Sequence, residues 1–125
     1  MTRSLIQSFR YAFEGIKFAL RTQKNFRIHF LIAVAVFSLG IYLKLGLFEL
    51  DILICAICFV LITEMINTSL EEIVNLVTPT RRARATIAKD VAAGAVLFSS
   101  ICAIIVGCLV FIPHLINLPI WRTGR

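Results

Sequence analysis

The sequence predicts an all-α integral membrane protein, with three transmembrane helices preceded by an amphipathic surface helix, in a single domain over residues 1–125. Three observations lead there. The chain is 59% hydrophobic and only 16% charged, with a mean hydropathy of +0.91, which is too apolar for a soluble domain of this length. Three apolar tracts, 28–48, 50–77 and 91–118, each reach the ~20 residues that carry a helix across a bilayer. The basic residues are also segregated: Arg3, Arg10, Lys17, Arg21, Lys24 and Arg27 precede the first tract, and Arg81, Arg82, Arg84 and Lys89 separate the second from the third. Only Lys44, Arg122 and Arg125 lie on the other side, so the positive-inside rule places the N-terminus in the cytoplasm and the C-terminus outside. No linker, low-complexity tract or repeat divides the spans.

Residues 3–26 form the surface helix. Arg3, Arg10, Glu14, Lys17, Arg21 and Lys24 recur at steps of three, four or seven and so share one face, while Leu5, Phe9, Phe13, Ile16 and Leu20 take the other. Such a helix lies in the interface with its bases toward anionic headgroups, which account for the net charge of +6 without nucleic acid. The segment lacks the short apolar region and cleavage site of a secretory signal, so the first span is expected to be retained. Gly15 lets a backbone or a ligand ring approach closely, and Gln23 offers a polar tip at the mouth of the first span.

The first span, 28–48, starts beside His29, which, like His114, has no partner at ligand spacing and reads as an interfacial residue. Cys55 and Cys58 form a C-x-x-C, but within "LICAICFV" there is neither a second pair nor a polar knuckle for zinc. With Cys102 and Cys108 they read as small core side chains.

The second span, 50–77, contains "TEMINTSLEEIVN". From Glu64, the residues Asn67, Thr68, Glu71 and Asn75 follow at i+3, i+4, i+7 and i+11, all within about 60 degrees on a helical wheel; Glu72 falls off the stripe. An ionised carboxylate at mid-membrane costs about 2.5 to 3.5 kcal/mol on insertion scales. Asn67 and Thr68 alone could fix helix register, but two carboxylates on the same face point to function, because cheaper residues specify packing. Entering near Leu50, a helix rising ~1.5 Å per residue brings Glu71 to the cytoplasmic interface and leaves Glu64 about 10 Å deeper.

Thr78-Pro79 ends that helix, and Arg81, Arg82 and Arg84 hold the loop in the cytoplasm. Lys89 and Asp90, at the mouth of the third span, 91–118, face the level of Glu71 if the hairpin packs, and a fixed lysine beside carboxylates suits phosphate. Ala95, Ser99, Ala103 and Gly107 repeat every four residues, a pattern for close helix packing, and Pro113 and Pro119 mark the outer end. No Walker-type loop or kinase glycine loop is present. A small membrane enzyme for phosphate would need carboxylates for magnesium, a lysine for phosphate and a base that reaches a lipid hydroxyl.

"AFEGIKFAL", "NFRIH", "EMINTSLEEIV" and "AKDVAAGAVL", in this order and spacing, resemble the prokaryotic diacylglycerol kinase family, especially its undecaprenol kinase branch. The resemblance runs over nearly the whole chain. It implies a homotrimer in the bacterial inner membrane, with sites shared between protomers, that transfers the γ-phosphate of ATP to undecaprenol or diacylglycerol with Mg2+. By matching positions it makes Glu64 the catalytic base, Glu71 a metal ligand, and Tyr11, Asn67, Lys89 and Asp90 nucleotide-side residues. The family pattern has Glu at Gln23, Asp at Asn75 and Glu-Tyr-His at Thr80-Arg81-Arg82. An amide at Gln23 is a weaker metal ligand, so weaker magnesium binding is expected, with Arg81 and Arg82 contacting phosphate directly. A weak or inactive homologue, and an oligomer that conducts protons or ions along the acidic stripe, are the alternatives.

Overall fold

Ser4 opens the first helix with a reciprocal cap: its Oγ accepts from the Gln7 amide at 3.4 Å, and its own amide donates to Gln7 Oε1 at 3.3 Å. The computed structural model describes residues 4–78, 80 and 82–117. Its elements are α1 (Leu5–Thr22), α2 (Lys24–Tyr42), α3 (Leu47–Val77) and α4 (Ala83–Ile116), and no strand occurs among the described residues. By length and composition, α2 and α4 can cross a membrane. The stripe lies on α3, a helix of 31 residues.

The junctions depart from the sequence expectations in ways that have local causes. The surface helix does not run to residue 26: Gln23 is extended (φ −100, ψ 112), closing α1 through its amide to Ala19 O at 2.9 Å and starting α2 at once. The chain thus turns at a single residue. The first span does not continue to residue 48 either. It stops at Tyr42, Lys44 takes a left-handed φ of 55, and the Leu45 amide returns to Gly40 O at 3.1 Å. Glu49 then caps α3, its Oε2 accepting from the Gly46 amide at 2.9 Å. Helix α4 begins at Ala83, ahead of the span predicted from residue 91. Pro113 lies inside α4 rather than at its end. Near a terminus the missing amide spoils a single bond, and Asn117 Nδ2 donates to the Pro113 carbonyl at 2.8 Å. Pro79 and Pro119 lie outside the described residues.

Helices α3 and α4 form an antiparallel hairpin, α2 packs on α3, and α1 touches the bundle lightly. At the end of the 43–46 turn, Leu45, Leu53 and Val110 are buried together under Leu50, Ile57 and Phe111. Most other large apolar side chains point outward; Ile62, Ile66, Leu97 and Ile104 are all more than half exposed. A continuous apolar exterior of this kind is a surface for lipid or for a partner helix. The cysteines expected in the core are not there: Cys55, Cys58 and Cys108 are exposed and Cys102 is half-buried. Of the small-residue stripe only Ser99 is fully buried. Gly107 has no atom within 4 Å of where a Cβ would stand, and Gly15 is equally open within the chain.

Gly40 is different. A Cβ there would meet Leu45 Cδ1 at 3.1 Å, with Leu50 Cδ2 and Leu53 Cδ2 each at 3.4 Å, so its missing side chain lets α2 approach α3. Gly40→Val is expected to destabilise the protein by about 1–3 kcal/mol through overpacking, whereas Gly107→Val changes stability little. Unfolding of both variants in detergent micelles checks this, and equal losses would refute it.

Candidate functional site

The sequence places a polar stripe on α3, and the packing of α4 decides which part of it is enclosed. Glu64 is 2% exposed, and Asn67 and Thr68 are also buried. Glu71 is half-buried, while Glu72 and Asn75 are exposed, which confines the burial to the middle of the stripe. Thr68 satisfies its hydroxyl by donating to the Glu64 carbonyl at 3.0 Å, leaving the Glu64 carboxylate free of that bond. Asn67 Nδ2 donates to Glu71 Oε1 at 3.4 Å. Asn67 Oδ1, however, is buried with no partner among the described residues, and an orphaned acceptor costs about 1–3 kcal/mol unless something donates to it or coordinates it.

Two cross-helix bonds hold α4 at this depth. Thr63 Oγ1 and Ser99 Oγ are 2.8 Å apart, one residue before Glu64 on α3; one hydroxyl donates to the other, and the accepting one keeps its own proton for a carbonyl of its helix. Toward the loop, Lys89 Nζ donates to Asn75 Oδ1 at 2.6 Å. The acceptor is a neutral amide, so this contact gives the lysine no counter-charge. The stripe therefore ends at a fixed, half-buried cation.

Between these clamps a cleft of about 410 Å³ opens among α2, α3 and α4. Its polar walls are Asn25 and His29 from α2, Glu64 and Asn67 from α3, and Ser100 from α4; Ile28, Val96 and Leu97 supply apolar walls. A buried carboxylate at the edge of a cleft large enough for a substrate headgroup can take a proton from a hydroxyl brought to it.

The cleft gathers Glu64 and Asn67, with Glu71 bonded to Asn67. The remaining expected site residues are not on its wall. Tyr11 is 56% exposed on α1, Gln23 is half-buried at the α1–α2 turn, and Asp90 and Arg82 are exposed at the start of α4. Arg81 lies outside the described residues. Among the described residues no three Asp, Glu, His or Cys side chains gather as a metal centre. The oxygens of Glu71 and Asn67 still suit a magnesium ion that takes most of its ligands from phosphate and water, and the orphaned Asn67 Oδ1 is the observation that favours such a donor set.

His29 was expected to be a plain interfacial residue, yet it shares the cleft with Glu64. The signal available was its spacing: Asn25 and His29 lie one turn apart at the polar start of α2, as a second, shorter polar stripe. His114, also expected to stand alone, meets Glu49 at 3.5 Å across the far end of the α3–α4 pair.

Comparison with known proteins places this site in context. The family model "Prokaryotic diacylglycerol kinase" matches residues 10–111. A diacylglycerol kinase from Synechocystis sp. is 44% identical over 116 residues, covering 92% of this chain and 66% of its own length. An undecaprenol kinase from Bacillus subtilis is 37% identical over 109 residues, covering 87% of this chain and 89% of its own. The chain thus spans about two thirds of the first relative and most of the second.

The Thr63–Ser99 pair gives a direct test of what holds α3 and α4 together. In a double-mutant cycle of Thr63→Val and Ser99→Ala, a coupling of about 0.5–1.5 kcal/mol is expected from unfolding in detergent micelles. Additive losses would mean that the bond contributes nothing.

Proposed function

We infer that the cleft is the acceptor side of a lipid kinase site, since this chain belongs to the prokaryotic diacylglycerol kinase family. The one observation that carries the assignment is a buried carboxylate, Glu64, on the wall of a cleft in a chain otherwise built of apolar helices. The two relatives are named diacylglycerol kinase and undecaprenol kinase, and diacylglycerol and undecaprenol share a free hydroxyl on a molecule with long hydrocarbon chains. The proposed activity is transfer of the γ-phosphoryl group of ATP to that hydroxyl.

In this reading Glu64 takes the proton of the acceptor hydroxyl as its oxygen bonds to the γ-phosphorus. The bond from that phosphorus to the β–γ bridging oxygen breaks, and ADP leaves. Burial shields the carboxylate from competing water, and Asn67, one turn away, lines the same cleft. Magnesium, bound with ATP, would supply charge neutralisation on the phosphates, held by Glu71 and Asn67 with a weak share from the Gln23 amide. Lys89 is the phosphate partner, pre-positioned by Asn75, and Asp90, Tyr11, Arg81 and Arg82 complete the nucleotide side.

The same reading takes α2, α3 and α4 as three spans of a bacterial inner membrane, with α1 on the cytoplasmic surface, the N-terminus inside and the C-terminus outside. It takes the working unit as a homotrimer. That unit accounts for nucleotide-side residues that do not reach the cleft of their own chain, and for apolar faces and open glycines left uncovered.

Purified protein in mixed micelles, given labelled ATP, magnesium and each lipid in turn, tests the assignment. Label is expected on lipid, and Glu64→Gln should lower kcat by about 10²–10⁴-fold with unfolding unchanged. Label absent from every lipid, or a rate that survives Glu64→Gln, would overturn it. On the nucleotide side, Arg81→Ala and Arg82→Ala should each raise the KM for MgATP several-fold, by about 1 kcal/mol of lost phosphate contact, with little effect on the KM for lipid. An unchanged KM for MgATP would remove both arginines from the site.

A further inference from the structure

The end of the bundle away from Glu64 carries a polar contact of a different kind. Glu49, in the first turn of α3, accepts from the Gly46 amide through Oε2 at 2.9 Å, and the same oxygen stands 3.5 Å from Nε2 of His114, in the last turn of α4. The other ring nitrogen, Nδ1, lies 3.1 Å from the Val110 carbonyl. Val110 is itself buried with Leu45 and Leu53 beside the 43–46 turn. The imidazole thus joins the cap of α3 to the last turns of α4 over that apolar cluster.

Both nitrogens of this ring face acceptors, and a neutral imidazole has a single N–H to give. With the proton on Nδ1, the Nε2 lone pair opposes the Glu49 carboxylate. With the proton on Nε2, the Nδ1 lone pair opposes the Val110 carbonyl. Only the imidazolium meets both, and at 3.5 Å its bond to Glu49 is an ion pair rather than a short hydrogen bond. We propose that His114 and Glu49 form a pH-sensitive clasp, closed when the ring holds its second proton and released when it loses it, which fixes the 43–46 turn and the start of α3 against the end of α4.

Imidazole is the side chain whose charge changes between about pH 5 and 8, so the clasp is closed toward the acid end of that range and open toward the alkaline end. The other titratable groups of this end are Tyr42 on α2, Lys44 in the turn, Asp51 and Cys55 on α3, and Cys108 on α4. All are exposed, and among the described residues none of them lies within ion-pair distance of His114. In the topology proposed above this end faces outside, so the clasp answers to external pH rather than to the nucleotide side. The two side chains are 30% and 35% exposed, and water screens a pair of that kind to a modest effect.

In detergent micelles both ends of the bundle meet one buffer, so the test depends neither on topology nor on kinase activity. The amides of Leu45 and Leu50, bonded to Gly40 O and Gly46 O, report opening of the turn by hydrogen exchange. Corrected for intrinsic exchange rates, their opening is expected to become about two- to fivefold rarer from pH 8 to pH 5 in the wild type, the range a partly exposed ion pair delivers. His114→Gln removes the charge that titrates, and Glu49→Gln removes its partner while keeping an oxygen for the Gly46 amide; each should abolish the step and leave opening at its pH 8 level. A step that survives either substitution, or its absence from the wild type, overturns the proposal. Nitrogen shifts of the wild-type His114 ring give an independent reading: both nitrogens should carry protons at pH 5, and a ring still singly protonated there overturns it whatever the variants do.

Discussion

Keeping a carboxylate inside an apolar helix bundle is the constraint around which this structure is arranged. Glu64 is almost fully enclosed, yet its backbone carbonyl rather than its side chain is what Thr68 bonds, so the carboxylate is left for the cleft. The hydroxyl pair Thr63–Ser99 brings α4 close enough to wall off lipid on one side, and α2 closes another side with Asn25 and His29. Without α4 and α2 in these places the same residue would face acyl chains and be driven to its neutral form or out of the span. The polar bonds between helices thus serve the site as much as the fold, since lipid gives helices no hydrophobic reason to associate.

Charge along α3 is graded in step with this enclosure. Glu64 is buried, Glu71 is half-buried and bonded to Asn67, and Asn75 at the end holds Lys89. A gradient of this kind separates two tasks for one reaction. In the proposed reaction the enclosed group would meet a hydroxyl coming from the membrane, and the open end phosphate coming from water. The neutral amide at position 75 gives Lys89 no counter-charge, so the open end carries positive charge in the same direction as the arginines of the loop.

The polar stripe was legible in the sequence because a regular helix carries its own ruler: residues at i+3, i+4 and i+7 must share a face wherever the helix sits. The fold class was legible for a similar reason, since long apolar tracts have few alternatives to helix in a membrane. The breaks were less so. Gln23 is no standard helix breaker, and Lys44 in a left-handed conformation is a place where glycine would be expected, so neither announced the end of a helix. Beside the second break, Gly40 allows α2 to approach α3 closely, a contact that local sequence does not specify.

By itself, then, the sequence determined the helical class, the family and the alignment of Glu64, Asn67 and Glu71 on one face, all properties of a single helix or of composition. Only the tertiary structure decided which of those groups is enclosed and that His29 stands on the same wall. Periodicity tells which residues share a face of one helix. It is silent on which face of the next helix turns toward them, because that depends on small-residue contacts and hydrogen bonds between segments far apart in the chain.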